Sequence, residues 1–382
     1  MLLAACTTVD QQSHGPSEDT VEYDWHLPPG FAPPPVPDSN PMNTDKVDLG
    51  RHLFYDPRLS VNGQGSCASC HRQHLAFTDG RSQAIGATGE FHTRSSMSLI
   101  NVAYNSNYTW ASRNVRTLEE QIPIPLFNVD PIELGLRGNE QALLSDLESS
   151  SSYSTWFDLA FPESTEPVCI ENTIKALASF MRTIIAADSP FDRLLYLDDE
   201  SGMSESAMRG MKLFYSDDLK CSECHEGQNL AGGQLMSDRP EVVFHNTGLY
   251  NVGDLNSYPE IDTGLRSESG EMSDDGRFRA PTLRNVAITA PYMHDGSIAT
   301  LSDVIDHYAA GGRTIRSGPN AGAGSANSNK SPLLTGFELD DAEKRDLISF
   351  LESLTDLAVL TEVRFSRPND DTLILSLLVR LR

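Results

Sequence analysis

The sequence predicts a mainly α-helical protein that consists of two tandem copies of one small domain with long loops. A Cys-x-x-Cys-His string occurs twice, at residues 67–71 and 221–225. Around these strings, matching segments follow one another in the same order in both halves of the chain, which indicates an internal repeat. Long β-alternating runs are absent from the sequence, and stretches rich in Gly, Pro and Ser separate the segments of helical periodicity.

Each Cys-x-x-Cys-His string is the pattern of covalent c-type haem attachment, in which two thiols bond to the porphyrin and the next His binds the iron. A zinc ribbon is the alternative, but zinc does not require a His directly after each Cys pair. We therefore expect two covalently bound haem c groups. Their thioether residues would be Cys67, Cys70, Cys221 and Cys224, and their proximal iron ligands His71 and His225.

The repeat extends well beyond the haem strings. A Gly-x-x-Leu-Phe-Tyr segment precedes each of them, at residues 50–55 and 210–215, and an Asn-Val-Ala turn follows each of them. Apolar residues at helical spacing surround these segments. Each half therefore reads as a helical, cytochrome c-like haem domain, and we expect the first at residues 44–200 and the second at residues 201–360.

The two ends of the chain give separate expectations. Residues 1–43 read as the remnant of a truncated signal sequence with a lipobox-like Leu-Ala-Ala-Cys string, followed by a proline-rich segment that is either a flexible tether or draped over the surface. Cys6 is the candidate site of a lipid anchor, and residues 361–382 form a C-terminal tail. Because c-type haem is normally attached outside the cytoplasm, we expect an exported, periplasmic bacterial protein, with or without the lipid anchor.

The composition is strongly acidic, with a formal net charge of −25. This charge disfavours binding to nucleic acid or to an anionic membrane surface, because both partners carry the same sign. It is compatible with docking of a cationic partner and, equally, with a role in solubility alone.

Two further strings carry a family resemblance. Residues 280–287 read Ala-Pro-Thr-Leu-Arg-Asn-Val-Ala, and residues 289–296 read Thr-Ala-Pro-Tyr-Met-His-Asp-Gly. Together with the haem strings they resemble the bacterial di-haem cytochrome c peroxidase and MauG superfamily from about residue 44 onward. The segments 350–356 and 363–366 look like the MbnH branch, whose members oxidise a partner protein in copper- and methanobactin-linked gene clusters.

The resemblance implies that the two haems differ on their distal sides. In this superfamily a Tyr or Met at the position of Tyr308 is the sixth ligand of the C-terminal haem, and the matching position in the first half is Pro125, which cannot bind iron. The first haem would thus be open to peroxide and the second six-coordinate. Met293 and His307 are rival ligands, although His307 points about 100° away from Tyr308 on a helix.

The same resemblance assigns residues to the open side of the first haem. Glu133 matches the catalytic Glu that would carry a proton between the two peroxide oxygens, with Asp130 as the alternative. Gln121 matches a Gln of the distal pocket. Trp110 matches a Trp between the haems, where it would link them electronically.

Two features are left open by the sequence. His74 and His92 flank the loop after the first haem string, and either could still reach the first iron. The superfamily also holds a Ca²⁺ ion between its domains, here with the carbonyl oxygens of Thr289 and Pro291. The remaining ligand position carries Ser95 instead of Asn, which puts the affinity for Ca²⁺ in question.

The resulting hypothesis is a peroxide-dependent oxidoreductase of MauG and MbnH type. It would form a high-valent two-haem intermediate and oxidise a Trp or Tyr of a small exported partner protein. The alternative is a cytochrome c peroxidase that reduces hydrogen peroxide to water with electrons from a small cytochrome or cupredoxin. Tyr308 weighs against that alternative, because an anionic Tyr ligand lowers the reduction potential of iron. A di-haem electron carrier is disfavoured by an open iron beside Glu133.

Overall fold

The computed structural model describes residues 23–235 and 241–368, so Cys6 and residues 369–382 lie outside the described residues. Long loops connect the helices, and the mainly helical architecture expected from the sequence is confirmed. The α-helices are α1 (Thr44–Phe54), α2 (Cys67–Cys70), α3 (Leu118–Gln121), α4 (Pro123–Phe127), α5 (Glu140–Ser149), α6 (Ser151–Ala160), α7 (Ile170–Arg182), α8 (Pro190–Leu197), α9 (Glu205–Phe214), α10 (Arg266–Ser269), α11 (Leu301–Ala309) and α12 (Asp341–Glu352).

The described strands are four two-residue segments that form two antiparallel, two-stranded sheets. The strand β1 (Phe244–His245) pairs with β2 (Phe278–Arg279), and β3 (Thr314–Ile315) pairs with β4 (Gly322–Ala323). Short 3-10 turns fill many of the loops: Pro57–Leu59, Gln73–Leu75, Val102–Tyr104, Glu200–Gly202, Cys221–Glu223, Val252–Asp254, Met272–Asp274, Val286–Ile288, Gly324–Ala326, Ala358–Leu360 and Val363–Phe365. Within the described ranges, no helix is both long and apolar enough to cross a membrane.

Both halves contain the same crossing of two helices at a glycine. In the first half α1 packs on α7, and in the second half α9 packs on α12. A Cβ atom built on Gly50 would lie 1.9 Å from the backbone oxygen of Ala176. A Cβ atom built on Gly210 would lie 1.9 Å from the backbone oxygen of Asp346. The repeated glycine therefore permits a helix-to-backbone contact that any side chain would block.

Each crossing is completed by a pair of phenylalanine rings. The ring centroids of Phe54 and Phe180 are 5.2 Å apart, and those of Phe214 and Phe350 are 5.1 Å apart. All four side chains are almost fully buried. The rings belong to two separate hydrophobic cores, one per half, so the repeat in the sequence corresponds to a repeat in packing.

An asparagine with left-handed backbone begins the Asn-Val-Ala turn in each half. The φ angle is +54° at Asn101 and +56° at Asn285, a region that Asn tolerates better than most residues. The Asn101 amide donates to the carbonyl oxygen of Ala186 at 3.1 Å, and the Asn285 amide donates to that of Asp356 at 2.8 Å. Each turn is thus tied to the chain that follows the closing helix of a half.

The described part of the N-terminal segment lies against the protein. The side chain of Phe31 is 4% exposed, and its ring centroid is 5.9 Å from that of Tyr104. The Tyr104 hydroxyl donates to the carbonyl oxygen of Ala32 at 2.7 Å, and the buried Asn40 amide donates to Glu119 at 2.7 Å. Of the two expectations for this segment, the contacts of Phe31 and Asn40 favour a chain draped over the surface.

The chain after α12 returns from the second half to the first. The Asp356 carboxylate accepts hydrogen bonds from two backbone amides just after α7, and residues 357–366 then run across the first domain. Val359 and Phe365 are buried within the core of that domain. We call residues 357–366 the C-terminal strap. It includes the first residues of the tail that the sequence places at 361–382.

We predict that Gly210→Ala lowers the free energy of unfolding by about 3 kcal/mol, because the new methyl group overlaps the Asp346 carbonyl and forces α9 away from α12. The measurement is urea unfolding followed by circular dichroism. The control is Lys212→Ala, an exposed position on the same helix. Equal midpoints for the two variants would contradict the close helix contact.

Candidate active site

The first haem string forms α2 and the residue after it. Ser66 caps this one-turn helix, and its backbone amide donates to the Ser69 hydroxyl oxygen at 3.0 Å. The Nδ1 atom of His71 lies 2.9 Å from the carbonyl oxygen of Phe77. This contact fixes Nδ1 as the protonated nitrogen and leaves the Nε2 lone pair for a metal.

The second haem string follows the same plan. Residues Cys221–Glu223 form a 3-10 turn, and the Nδ1 atom of His225 lies 3.2 Å from the carbonyl oxygen of Leu230. Burial lowers the pKa of His225 to about 4, so the imidazole is neutral and able to act as a ligand. All four cysteines of the two strings are free thiols in the structure.

A cavity of about 840 Å³ opens beside the first string. Its wall contains Gln121, Pro125, Asp130 and Glu133, in addition to His71. The structure thus brings the sequence-predicted distal residues together around one space. It also places Pro125 where the repeat puts it, on the short helix that corresponds to α11 of the second half.

Glu133 is held by its backbone and leaves its carboxyl group free to face the cavity. The carbonyl oxygen of Glu133 accepts from the Ala87 amide at 2.7 Å, and the next residue, Leu134, donates to the carbonyl of Pro125 at 2.9 Å. Burial raises the pKa of the Glu133 carboxyl to about 7. A carboxyl with that pKa can both accept and donate a proton near neutral pH.

Gln121 supplies a second polar group to this cavity. Among the described residues, its buried Oε1 atom has no hydrogen-bond partner. A buried unpaired acceptor is costly, and it indicates a site that a polar ligand or a water molecule completes.

Of the two histidines left open by the sequence, only His92 belongs to the wall of the first cavity in the described structure. Burial lowers the pKa of the His92 ring, against the opposing effect of a hydrogen bond with the Ile132 backbone. The ring is therefore engaged beside the loop that carries Glu133. His74 lies in the 3-10 turn after the haem string.

The second cavity is formed around His225 and contains Tyr308 in its wall. Burial, and next the charges of Cys224 and Cys221, raise the pKa of the Tyr308 hydroxyl. Of the rival ligands, Met293 lies in this wall, whereas His307 is buried outside it. His307 is thus directed away from the cavity, as the helical geometry predicts.

Trp110 lies in the wall of both cavities. Its indole N–H donates to the carbonyl oxygen of Ser95 at 2.9 Å, and its own carbonyl oxygen accepts from the Arg279 amide at 2.9 Å. The ring is therefore held by a residue of the first half, and the backbone of Trp110 is held by a residue of the second.

Arg279 also lines both cavities and is almost fully buried. Burial lowers the pKa of its guanidinium to about 10. Its Nη1 atom has no hydrogen-bond partner among the described residues. A buried guanidinium with a free N–H implies an anion that belongs to the site but not to the polypeptide.

The donor set fits one haem c in each cavity. Each wall contains a pair of free thiols and one neutral histidine whose Nδ1 is already bonded. A porphyrin propionate is the kind of anion that would satisfy the Nη1 atom of Arg279. When bound, the haems would supply the redox chemistry with peroxide, and the polypeptide supplies their ligands and proton donors.

The residues of the expected calcium site lie together, since Ser95, Thr289 and Pro291 are all in the wall of the second cavity. The Ser95 hydroxyl donates to the carbonyl oxygens of Met293 and His294, at 3.2 and 3.3 Å. Ser95 thus bridges the two halves through hydrogen bonds. Calcium binding here stays a prediction.

Comparison with known proteins decides the family. Residues 44–200 match the family model of the di-haem cytochrome c peroxidases. The methylamine utilization protein MauG of Methylorubrum extorquens is 32% identical over 84% of this chain and 81% of its own. A cytochrome-c peroxidase of Denitromonas iodatirespirans is 34% identical over 87% of this chain and 88% of its own. The chain belongs to the di-haem cytochrome c peroxidase family.

A solved structure refines the position of the chain within the di-haem cytochrome c peroxidases. A MauG-like protein associated with microbial copper homeostasis is 44% identical, with a TM-score of 0.87, over 91% of this chain and 99% of that one. This similarity confirms the resemblance to the MauG-like branch and the fold of two cytochrome c-like domains. The chain is an oxidoreductase that acts on peroxide and uses two haems.

Three residues of this di-haem site were not predicted from the sequence. Arg279 and His245 lie in cavity walls, and Phe77 provides the acceptor for the proximal His71. Arg279 lies on β2, far from either haem string, so no local pattern marks it. Phe77 follows its string closely, and the equivalent Leu230 in the other half is the one signal that could have indicated it.

We predict that the mature protein retains two haem groups after acid denaturation, because thioether bonds survive loss of the fold. Intact-mass spectrometry measures the number. The double variant Cys221→Ser/Cys224→Ser should retain one haem, and Ser152→Ala, an exposed position outside both strings, should retain two. One haem in the wild-type protein would contradict the assignment of both strings.

Proposed function

We propose that this protein oxidises a Trp or Tyr residue of a small exported partner protein at the expense of hydrogen peroxide. The observation that carries the proposal is the difference between the two cavities. Pro125 stands in the wall of the first cavity at the position of the repeat that Tyr308 occupies in the second. By this proposal the first cavity leaves room for peroxide at its haem. In the second cavity Tyr308 and His225 would both bind the haem.

In the first cavity Glu133 is the proposed general base and acid of peroxide reduction. Its carboxylate would accept the proton of one oxygen of hydrogen peroxide. The resulting carboxylic acid would return that proton to the other, departing oxygen. Because the pKa is raised to about 7, both forms are accessible at neutral pH. The unpaired Oε1 of Gln121 accepts a hydrogen bond from peroxide or water and orients it.

In the second cavity Tyr308 and His225 would together hold the haem iron. An anionic oxygen ligand favours the oxidised metal, so this half of the protein is suited to holding an oxidising equivalent and not to accepting electrons from a weak donor. Trp110, fixed between the two cavities, provides the π-system through which the two sites share charge. The 44% identity to a solved MauG-like protein supports a function of MauG type.

The proposal includes export to the bacterial periplasm, since covalent haem attachment normally takes place outside the cytoplasm. Cys6 is the proposed lipid-anchor residue. The partner is a small exported protein with an accessible Trp or Tyr. A second candidate, reduction of peroxide with electrons from a small cytochrome or cupredoxin, is favoured by the similarity to a cytochrome-c peroxidase.

We predict that Glu133→Gln lowers kcat/KM for peroxide by about 100-fold or more, because the amide cannot accept the proton. In the wild-type protein kcat/KM should rise as the pH increases through about 7, where the carboxyl becomes a carboxylate. The variant should lose this pH dependence. Stopped-flow measurement at several pH values provides the test.

The control for that substitution is Glu148→Gln, an exposed carboxylate on α5. It should keep both the rate and the pH profile of the wild-type protein. An unchanged pH profile in Glu133→Gln would indicate that Asp130, which lines the same cavity, is the general acid and base instead.

We predict that Tyr308→Met raises the reduction potential of the second haem, because a neutral thioether stabilises ferrous iron. Oxidation of the partner protein should fall, while peroxide reduction with a reduced small donor persists. Spectroelectrochemistry and the two activity assays measure these effects. The control is Tyr292→Phe, a second tyrosine of the same cavity, which should leave the spectrum unchanged. A wild-type spectrum in Tyr308→Met would show that Tyr308 is not the ligand.

A further inference from the structure

We infer that the C-terminal strap positions the proximal histidine of the first haem and thereby sets the reduction potential of that haem. The strap comes from the end of the second half but lies against the loop that follows the first haem string. The inference rests on His71 as a haem ligand, and it is independent of which partner the protein oxidises.

The strap engages this loop through both polar atoms of one side chain. The Nε2 atom of Gln73 donates to the carbonyl oxygens of Val359 and Glu362, at 3.0 and 2.9 Å. Its Oε1 atom accepts from the Ser366 hydroxyl at 3.0 Å. Gln73 lies two residues after His71, so the strap is bonded directly to the turn that carries the proximal ligand.

A second contact reaches the residue that bonds to His71. Phe365 of the strap is fully buried, and its ring centroid is 6.4 Å from that of Phe77 in an edge-on arrangement. The φ angles of Ala76 and Phe77 are +53° and +58°, a left-handed conformation that residues with a Cβ rarely adopt. The strap therefore packs on a strained segment that needs external contacts to persist.

The outer edge of the strap is fixed by the helix that precedes the haem string. The Tyr55 hydroxyl donates to the carbonyl oxygen of Phe365 at 2.6 Å, and Arg51 donates to that of Val363 at 3.0 Å. These bonds set the depth at which Phe365 enters the core. The position of the Phe77 ring, and with it the Phe77 carbonyl, follows from that depth.

The Phe77 carbonyl is the atom through which the strap acts. It lies 2.9 Å from the Nδ1 atom of His71, and such a bond makes a metal-bound imidazole a stronger donor. A stronger donor stabilises ferric iron and lowers the reduction potential. Displacing the carbonyl would weaken the bond and raise the potential of the first haem.

The equivalent loop of the second half has a different support among the described residues. The carbonyl of Leu230 bonds to His225, and the φ angle of Leu230 is +46°. Here Gln234, which belongs to the same loop, donates to the carbonyl of Ala231 at 3.0 Å and accepts from Asn229 at 2.9 Å. The two proximal bonds are therefore supported by different parts of the chain, so loss of the strap should affect only the first haem.

The experiment compares Phe365→Ala and Gln73→Leu with the wild-type holoprotein. Phe365→Ala removes the ring that packs on Phe77, and Gln73→Leu removes the polar contacts to the strap without adding charge. Spectroelectrochemical titration resolves the midpoint potentials of the two haems. Resonance Raman spectra of the reduced protein report the iron–histidine stretching frequency of the first haem.

We expect both variants to raise the midpoint potential of the first haem and to lower its iron–histidine frequency, with the second haem unchanged. The matched control is Val363→Ala, a strap residue whose side chain is 73% exposed, which should match the wild-type protein in both measurements. Phe365→Leu, which keeps an apolar side chain in the pocket, should raise the potential of the first haem by less than Phe365→Ala does. If Phe365→Ala does not mature, Gln73→Leu carries the test alone.

An unchanged first-haem potential in a folded variant that carries both haems would overturn the inference and leave the strap a structural element only. Equal shifts of both haems would also overturn it, because they would indicate a general loosening of the fold. Neither result bears on the proposed function, which is tested at Glu133 and Tyr308.

Discussion

The contact between a glycine of one helix and a backbone carbonyl of the next is the constraint on which the arrangement of this protein depends. At Gly50 and again at Gly210 the helices approach so closely that a methyl group would not fit. Because the haem strings follow these helices after a short loop, the crossing sets where each string begins. The phenylalanine pairs pack at the same crossings, and the Asn-Val-Ala turns tie each half to the chain after its closing helix.

Within this shared frame the two sites differ by a few side chains. Pro125 and Tyr308 occupy corresponding positions, and the raised pKa of Glu133 exists in the first cavity because burial there penalises the carboxylate. Arg279 serves both cavities, since its guanidinium is buried between them. Duplication therefore provides the architecture, and substitutions such as Pro125 for Tyr308 distinguish the two cavities.

The sequence was sufficient for features that local patterns encode. The haem strings, the repeat and the pairing of Pro125 with Tyr308 all depend on spacing along the chain, which the order of the residues displays directly. It was not sufficient for Arg279 or for the path of the C-terminal strap. Both depend on contacts between residues that are far apart in sequence, and neither Arg nor a short apolar tail has a distinctive pattern.

The N-terminal segment also shows how far composition alone can predict structure. The proline-rich composition of the N-terminal segment left open whether it is a free tether or a chain draped over the surface, and the contact of Phe31 with Tyr104 holds part of that segment against the protein. Composition indicates the conformational preference of a segment that has no contacts. One buried aromatic side chain is enough to offset part of the entropy cost of ordering that segment.

The bond between Trp110 and Ser95 has a consequence for movement of the two halves. Ser95 accepts from the indole of Trp110 and, through its own hydroxyl, is attached to the carbonyls of Met293 and His294 in the other half. The residue that positions the indole of the proposed electronic bridge is thus the same residue that bonds the two halves to each other. Any separation of the halves that broke these bonds would also release the indole, so electron transfer between the two proposed haem sites would depend on whether the halves are closed.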